Sequence, residues 1–304
     1  MADISKLNKI QTELSTAIEK AVEKFNSAIP KIQDNIYSDM ESIVKDLDLK
    51  GNSIANSVKN IKTIGALKAK INKVVLSPEY KDAIKEYIKS FQVISKLNRE
   101  YFTELVGENG REAVLKAIKE SSIQSAVESL TESGITANVT EEIQNILKTN
   151  ITGGGSYNDL LKQLRDGILS NDKGTGYLER YTKQITTDSL NQFNRQYTQT
   201  VTADLGLKWF MFTGSLLDTS REWCERMKKK KYVHISELAD IAKGIIDGVQ
   251  VKINPKTGTW YGGIMGTNEH NVQTNCGGYG CGHQLSPISE ALVPLDLVEK
   301  FKNK

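Results

Sequence analysis

The sequence predicts a mostly helical α+β protein, in which an extended N-terminal helical region is followed by a small α+β C-terminal domain. Apolar residues recur every three or four positions through most of the first two hundred residues, which is the spacing of one helix face. Only two prolines, Pro30 and Pro78, interrupt this stretch. After residue 206 the period changes, and all the cysteines, histidines and tryptophans of the chain lie there.

These observations divide the chain into three segments. Residues 1–110 are predicted to form an elongated helical docking arm, because their pattern is helical and they carry no residues typical of a chemical site. Residues 111–206 are predicted to be the helical part of a second domain. Residues 207–304 are predicted to be its α+β part, which contains a cysteine and histidine cluster.

The composition excludes several classes of protein. Hydrophobic residues make up 38% of the chain and charged residues 25%, which is enough apolar material for a folded core. A formal charge of +3 argues against a protein that coats nucleic acid by bulk charge. No segment is typical of a secretory signal or a membrane-spanning helix, so no membrane partner is expected. Three cysteines are too few for a disulfide scaffold, as is typical of a protein made in a reducing cytoplasm.

The first helix is predicted to present a narrow apolar stripe. Leu7, Leu14, Ile18 and Phe25 are separated by four or seven residues, which is close to the spacing of a coiled-coil seam. A helix with such a stripe needs a partner helix, so we interpret these four residues as a face that docks onto another protein. Pro30 is expected to kink or restart the helix.

Two later helices are predicted to begin at capping serines. Ser77 precedes Pro78, which suits the first turn of a helix. Ser156 follows the glycine run 153–155. Because this run lacks the Lys-Ser/Thr pair of a phosphate-binding P-loop, we interpret Ser156 as an N-cap. A polar helix is expected over residues 177–205, with either a solvated face or a buried polar network against the strand that follows. The polar residues concerned are Arg180, Asp188, Asn191, Asn194 and Arg195.

The α+β part is predicted to begin with an aromatic strand at residues 208–213. A short helix is expected after it, with Asp218 or Thr219 as its N-cap. The helix leads into a run of four lysines, which are Lys228, Lys229, Lys230 and Lys231. Such a run is usually solvated surface, and contact with an acidic partner or with DNA phosphates is the alternative. Duplex binding through it should be weak and strongly salt-dependent.

The most specific chemical feature is a group of cysteines and a histidine. Cys276, Cys281 and His283 lie within eight residues, among glycines that let the backbone wrap closely around a small object. Cys224 is a candidate fourth ligand, and three cysteines with one histidine are a standard ligand set for structural zinc. Ordinary packed thiols and a disulfide are the alternatives. A catalytic thiol at Cys224, with His234 or His283 as its base, is a further one.

Two motifs follow one another in the α+β part. The first is Asp-x-x-Arg, at Asp218 and Arg221, with Cys224 shortly after it and an aromatic strand before it. The second is Cys-x-His followed by Leu-x-Pro, which ends at Pro287. In this order and spacing the motifs resemble those of the phage head morphogenesis, or minor head protein, family typified by the F protein of phage Mu. The resemblance covers residues from about 112 to 288.

The second motif is similar to the Gly-Gly-Tyr-Asn-Cys-Arg-His-Gln ending of some family members. The matching residues are Gly277, Gly278, Tyr279, Cys281, His283 and Gln284. The chain departs from this ending at Gly280 and Gly282, so the arginine of the family ending is absent. The helix with Arg180, Asp188 and Asn191 is similar to the polar helix that precedes the aromatic strand in the family.

The resemblance implies a structural and assembly role without enzymatic activity. Family members are low-copy proteins of the phage head, associated with the portal vertex and the packaged DNA, and they affect head assembly or DNA delivery. For this chain the resemblance implies a place in the virion, at the capsid interior or portal vertex, after assembly in the host cytoplasm. Its partners would be portal or capsid proteins and packaged DNA, and no small-molecule substrate is expected.

Two other classes of function stay open on the residues alone. The chain could be an enzyme or a toxin-like effector that uses Cys224, in which case activity depends on that thiol while folding does not. It could also be a binding module that a structural zinc ion stabilises.

Overall fold

The computed structural model describes residues 2–172 and 174–302, which are mostly helical with small antiparallel sheets, as predicted. In chain order the helices are α1 (Ile4–Asn26), α2 (Ile29–Lys45), α3 (Val58–Val75), α4 (Pro78–Val106), α5 (Glu112–Leu130), α6 (Glu132–Ile135), α7 (Glu141–Gly153), α8 (Tyr157–Ile168), α9 (Tyr177–Asp204), α10 (Glu222–Lys230), α11 (Leu238–Ala242) and α12 (Leu295–Phe301). The strands are β1 (Leu49–Lys50), β2 (Ser53–Ile54), β3 (Trp209–Thr213), β4 (Tyr232–His234), β5 (Ile245–Ile246), β6 (Val249–Gln250) and β7 (Gln284–Ile288). A π-helix at Thr136–Thr140 precedes α7, and 3-10 turns lie at Ile235–Glu237 and Glu290–Leu292.

The chain forms two compact units that do not follow the three predicted segments. Unit 1 contains Met1–Glu19, Ser90–Ser122 and Thr187–Lys304, and unit 2 contains Lys20–Lys89 and Ile123–Thr186. Residues 1–110 and residues 111–206 therefore each contribute to both units. The described residues of the third segment all belong to unit 1, and its last two residues, 303 and 304, lie outside the described residues.

The apolar stripe of α1 lies in the core of this chain, which corrects its interpretation as a docking face. Leu7, Leu14, Ile18 and Phe25 are all buried, with exposed fractions of 1%, 1%, 6% and 2%. Within unit 2, Phe25 packs edge-on against two tyrosine rings of α4, those of Tyr80 and Tyr87. The heptad-like spacing is satisfied within the chain itself. A sequence pattern shows that a helix needs a partner but does not show which helix that partner is.

Unit 2 contains several packed helices and a small hairpin. Helix α2 packs against α3 and α8, and α7 packs against the same two helices. The hairpin of β1 and β2 turns at Gly51, whose backbone φ of 63° lies in the left-handed region that glycine adopts at little cost. The predicted break at Pro30 is confirmed, because α1 ends at Asn26 and Pro30 lies in the first turn of α2.

Both predicted serine caps are confirmed. The backbone N–H of Tyr80 donates to Ser77 Oγ at 3.3 Å, at the start of α4. The backbone N–H of Asp159 donates to Ser156 Oγ at 3.4 Å, at the start of α8. The glycine run before Ser156 thus separates α7 from α8, and its Gly154 adopts the left-handed conformation that closes α7.

We expect Ser156→Ala to lower the free energy of unfolding by about 1 kcal/mol, because the N–H of Asp159 loses its acceptor. Ser156→Asp keeps an acceptor at the cap and should retain most of this stability. Urea unfolding of both variants beside the wild type checks the expectation. An equal loss in the two variants would show that capping is not what Ser156 contributes.

Unit 1 contains a three-stranded antiparallel sheet in the order β4-β3-β7. The predicted aromatic strand is its central strand β3, and both of its faces are covered. Because side chains alternate along a strand, Phe210 and Phe212 belong to one core cluster, while Trp209 and Met211 belong to another. The first cluster also contains Cys224 and the two other cysteines of the chain.

No helix within the described residues is both long enough and apolar enough to cross a bilayer.

Candidate functional site

A network of buried amides in unit 1 joins α9 to other parts of the chain. Asn98 of α4 donates from Nδ2 to Asn194 Oδ1 at 2.6 Å, and Asn194 in turn donates to Gln284 Oε1. Gln284 donates to Gln11 Oε1 and, at 3.1 Å, to Ser286 Oγ. Of the two predictions for the polar helix, the buried network is therefore present around Asn194, but its partners lie on α4 and β7 rather than on the strand that follows α9. Gln11 and Asn98 were not predicted members, because one polar residue on an amphipathic helix gives no sequence signal of burial.

A buried arginine of α9 holds the segment that contains the second motif. Arg195 is 4% exposed, and its guanidinium donates to the carbonyl oxygens of Thr274, Cys281 and His283. Asp188, on the same helix, accepts a hydrogen bond from the backbone N–H of Gly280 at 2.7 Å. The polar helix thus fixes the backbone of residues 274–283 from one side. Asp188 and Arg195 were both predicted candidates for a buried polar network, whereas the segment that they hold was not predicted.

A second arginine holds the same segment from the first motif. Arg221 Nη1 donates to the carbonyl oxygen of Gly277 at 2.6 Å, and its Nη2 donates to that of Tyr279 at 2.5 Å. Arg221 is 56 residues from Gly277 in sequence, so this contact joins the two motifs in space. The backbone N–H of Tyr279 also donates to the carbonyl oxygen of Gly262 at 3.1 Å. The hydrogen bonds of Arg221 to Gly277 and Tyr279 therefore join residues that the sequence assigned to the two motifs, whereas Gly262 was not predicted.

Three of the four predicted metal ligands lie together. One ligand atom each of Cys224, Cys281 and His283 lies within 4.8 Å of the other two, and all three side chains are buried. The two sulfur atoms are 3.8 Å apart, and Cys281 Sγ is 3.2 Å from His283 Nδ1. The three cysteines are free thiols. The His283 ring also stacks on Phe212 of β3, with centroids 5.0 Å apart.

Cys276, the fourth predicted ligand, is fully buried in the same core cluster but is not a member of the group of three. Its thiol lies near enough for charges on Cys276 and Cys281 to affect each other, and burial raises the pKa of Cys276 to about 12. Cys224 and Cys281 form a closer pair. The hydrogen bond between them raises the pKa of Cys224 and lowers the pKa of Cys281 to about 4.

At two glycines of the second motif the backbone lies so close to neighbouring atoms that no larger residue fits. Gly277 has a φ of 71°, and a Cβ there would lie 2.1 Å from Cys281 Sγ. Gly278 has a φ of 86°, and a Cβ there would lie 1.9 Å from the carbonyl oxygen of Gly262. Gly280 also has a positive φ, of 65°, but nothing lies within 4 Å of its would-be Cβ. At Gly277 the backbone therefore lies directly against Cys281 Sγ.

We expect Gly277→Ala to destabilise unit 1 by about 1–3 kcal/mol more than Gly280→Ala. Both variants carry the strain of a positive φ, but only Gly277→Ala forces a methyl group into Cys281 Sγ. The difference in urea midpoint between the two variants isolates the packing contribution. Equal midpoints would mean that the backbone at Gly277 moves away from the sulfur without loss.

The remaining motif residues have different environments. Asp218 is exposed in the turn before α10, and the helix begins only at Glu222, so the prediction that Asp218 or Thr219 caps it is wrong. The turn is longer than predicted because Arg221 still has an extended backbone. Pro287 lies in β7, and its carbonyl oxygen accepts a hydrogen bond from Tyr101 Oη at 2.8 Å.

The lysine run does not form four equivalent surface charges. The side chain of Lys230 is 9% exposed and pairs with Glu237 at 2.8 Å and with Asp247 at 2.5 Å. Lys228 and Lys229 are exposed on α10, and the Lys231 ammonium lies over the ring of Tyr232. Lys230 is thus removed from the predicted set of DNA contacts, because its charge is already neutralised inside the chain.

The candidate bases for Cys224 have different surroundings. The His234 ring lies against those of Trp209 and Phe301, which belong to a different core cluster from Cys224. His283 lies in the thiol cluster, but the raised pKa of Cys224 keeps that thiol protonated at neutral pH. A reactive cysteine needs an accessible thiolate, and Cys224 is only 2% exposed.

Comparison with known proteins gives no match: no family model, no curated protein and no solved structure matches this chain.

Proposed function

We propose that this chain is a structural minor head protein of a tailed phage. It would be present in low copy at the portal vertex or capsid interior, contact portal or capsid proteins and packaged DNA, and act in head assembly or DNA delivery. The observation that supports this proposal best is the contact between the two motifs on which the resemblance to the head morphogenesis family depends.

The motifs meet at two kinds of contact. Arg221 of the first motif hydrogen-bonds the backbone of Gly277 and Tyr279 in the second. Cys224 and Cys281, one from each motif, have their sulfur atoms 3.8 Å apart. Short motifs that match a family by chance have no physical reason to contact each other across more than fifty residues of chain. Motifs that close one domain do have such a reason.

The geometry favours a structural role over a catalytic one. Cys224, Cys281 and His283 are at most 6% exposed, and the carbonyl groups around them are held by Arg195 and Arg221. A nucleophile and its base need space for a substrate beside them, whereas this cluster is packed among core side chains. These groups stabilise the C-terminal part of unit 1, and this stabilising role is sufficient in a structural protein.

The contact surfaces for partners lie outside the α1 stripe. The α1 stripe is buried, so the portal or capsid contact is assigned to other surfaces of the chain. Lys228, Lys229 and Lys231 supply exposed positive charge for DNA phosphates, and binding through so few charges would be weak and lost in moderate salt. This agrees with a protein that is held in the head by protein contacts.

Complementation of a phage that lacks this chain tests the proposal. Supplying the wild-type chain during infection should restore the yield of infectious, DNA-filled heads. Arg221→Ala, which separates the two motifs, should fail to restore it, whereas Arg226→Ala on the exposed side of α10 should succeed. A null phage that assembles and delivers DNA as well as its parent would contradict a role in the head.

A further inference from the structure

We propose that Cys224, Cys281 and His283 bind a structural zinc ion. Cys276 lies in the same core cluster but outside this group of three, and it becomes the fourth ligand when its side chain turns toward the ion. The proposal is independent of the role in the phage head, because it rests on the chemistry of the cluster alone. Thiolate and imidazole are the ligands that zinc takes in structural sites, and a set of three cysteines and one histidine is a standard one.

The separation of the two sulfur atoms fits a shared metal ion. Two thiolates bound at about 2.3 Å to one tetrahedral zinc ion lie about 3.8 Å apart. Cys224 Sγ and Cys281 Sγ are 3.8 Å apart. A disulfide would require about 2.05 Å, so these atoms are not placed for a covalent bond to each other.

The histidine fits the same geometry. A sulfur and an imidazole nitrogen on one tetrahedral zinc ion lie about 3.5 Å apart, given bonds of about 2.3 and 2.0–2.1 Å. The observed distance from Cys281 Sγ to His283 Nδ1 is 3.2 Å, so a small movement of the ring accommodates the metal. Phe212 stacks on this ring and sets its plane.

The charges around the cluster match those of a zinc site with three thiolates. Arg195 and Arg221 both hydrogen-bond carbonyl groups of residues 274–283, and Asp188 is the carboxylate that faces this segment. The two arginines and Asp188 together carry one positive charge. A zinc ion with three thiolates and one imidazole carries one negative charge, which is the opposite of that sum.

The backbone of residues 276–283, which include three of the four proposed ligands, is arranged to lie close to a bound ion. Gly277 follows Cys276 directly and approaches Cys281 Sγ so closely that no side chain fits there. The carbonyl groups of Gly277, Cys281 and His283 are occupied by the arginines, so the backbone is fixed before a metal arrives. Such outer contacts orient metal ligands and strengthen binding. Zinc binding would contribute directly to the stability of unit 1.

Metal titration of the untagged, full-length chain tests the proposal. The protein is prepared metal-free under reducing conditions and titrated with zinc alone, and its metal content is then measured after dialysis. We expect one zinc ion per chain. Cobalt in place of zinc should give the intense visible absorption of a tetrahedral thiolate complex, and addition of zinc should remove it. A chain that retains no zinc, or a cobalt spectrum without tetrahedral thiolate character, would overturn the proposal.

Single variants then identify the ligands. Cys224→Ser, Cys281→Ser and His283→Ala should each weaken zinc binding by more than about 100-fold, since even outer-shell changes cost 10–100-fold. His270→Ala is the matched control, because His270 is 87% exposed and lies outside the cluster. Wild-type affinity in Cys281→Ser would overturn the site, and wild-type affinity in Cys276→Ser would overturn the assignment of the fourth ligand. If a variant does not fold, the cobalt spectrum of the wild type still decides.

Discussion

Arg195→Ala is expected to lower the free energy of unfolding of unit 1 by about 3–5 kcal/mol, as is usual when one partner of a buried charged network is removed. The guanidinium donates to three carbonyl oxygens, those of Thr274, Cys281 and His283, in a segment with no regular secondary structure before β7. Each buried carbonyl left without a donor costs about 1–3 kcal/mol. Urea unfolding, with a probe in unit 1, measures the loss.

Arg226→Ala is the matched control for this prediction. Arg226 lies on α10 and makes an ion pair with Glu222 one helical turn away, with both side chains more than one third exposed. Such pairs contribute well under 1 kcal/mol. A loss in Arg195→Ala no larger than in Arg226→Ala would contradict the role assigned to Arg195. Arg195→Lys should recover only part of the stability, because an ammonium cannot reach all three carbonyl groups with a rigid fork.

Trp260→Ala is expected to cost about 3–5 kcal/mol, the usual range for removing a buried aromatic ring. Trp260 is 1% exposed and its ring stacks on that of Trp223, with centroids 4.9 Å apart and planes inclined by 16°. Trp223 is on α10, directly before Cys224. The stacked pair therefore joins the loop that contains Trp260 to the helix that carries Cys224. Loss of the ring should therefore also loosen the thiol cluster.

Two neighbouring substitutions separate burial from aromatic character. Tyr261→Ala removes a ring that is 48% exposed and should cost less than about 1 kcal/mol. Trp260→Phe keeps an aromatic ring on Trp223 and removes the indole N–H, which is buried without a hydrogen-bond partner among the described residues. Trp260→Phe should therefore lower the free energy of unfolding clearly less than Trp260→Ala does. Equal losses in Trp260→Ala and Tyr261→Ala would show that the stacked pair is not part of the core.

The elements of the fold could be predicted from the sequence where local signals are strong. The serine caps at Ser77 and Ser156, the break at Pro30 and the aromatic strand β3 all have short-range physical causes, and the structure has each of them. The α1 stripe was different. The spacing of Leu7 and its neighbours requires a partner, but that partner lies in distant parts of the same chain, and no local pattern specifies it.

The candidate site was predicted in the same uneven way. Cys281 and His283 are two residues apart in an extended segment, so their proximity follows from local geometry. The contact with Cys224 was a hypothesis from the motifs, and the 3.8 Å separation of the sulfur atoms agrees with it. Arg195 was a predicted candidate for a buried polar network. The segment that it holds could not be predicted, because the hydrogen-bond acceptors are backbone carbonyl groups, which leave no trace in the pattern of side chains. Lys230 appeared as one of four equal charges, since its partners Glu237 and Asp247 are brought to it only by the fold.

Mass spectrometry of purified phage particles tests directly whether this chain belongs to the head. Particles released by cells that carry the gene for this chain are treated with nuclease, washed in high salt and separated on a density gradient, so that proteins bound only to external DNA are removed. We expect peptides of this chain to stay with the DNA-filled heads, at a small number of copies beside the abundant capsid protein. Peptides found only in the soluble fraction of the lysate, with none in the heads, would contradict it.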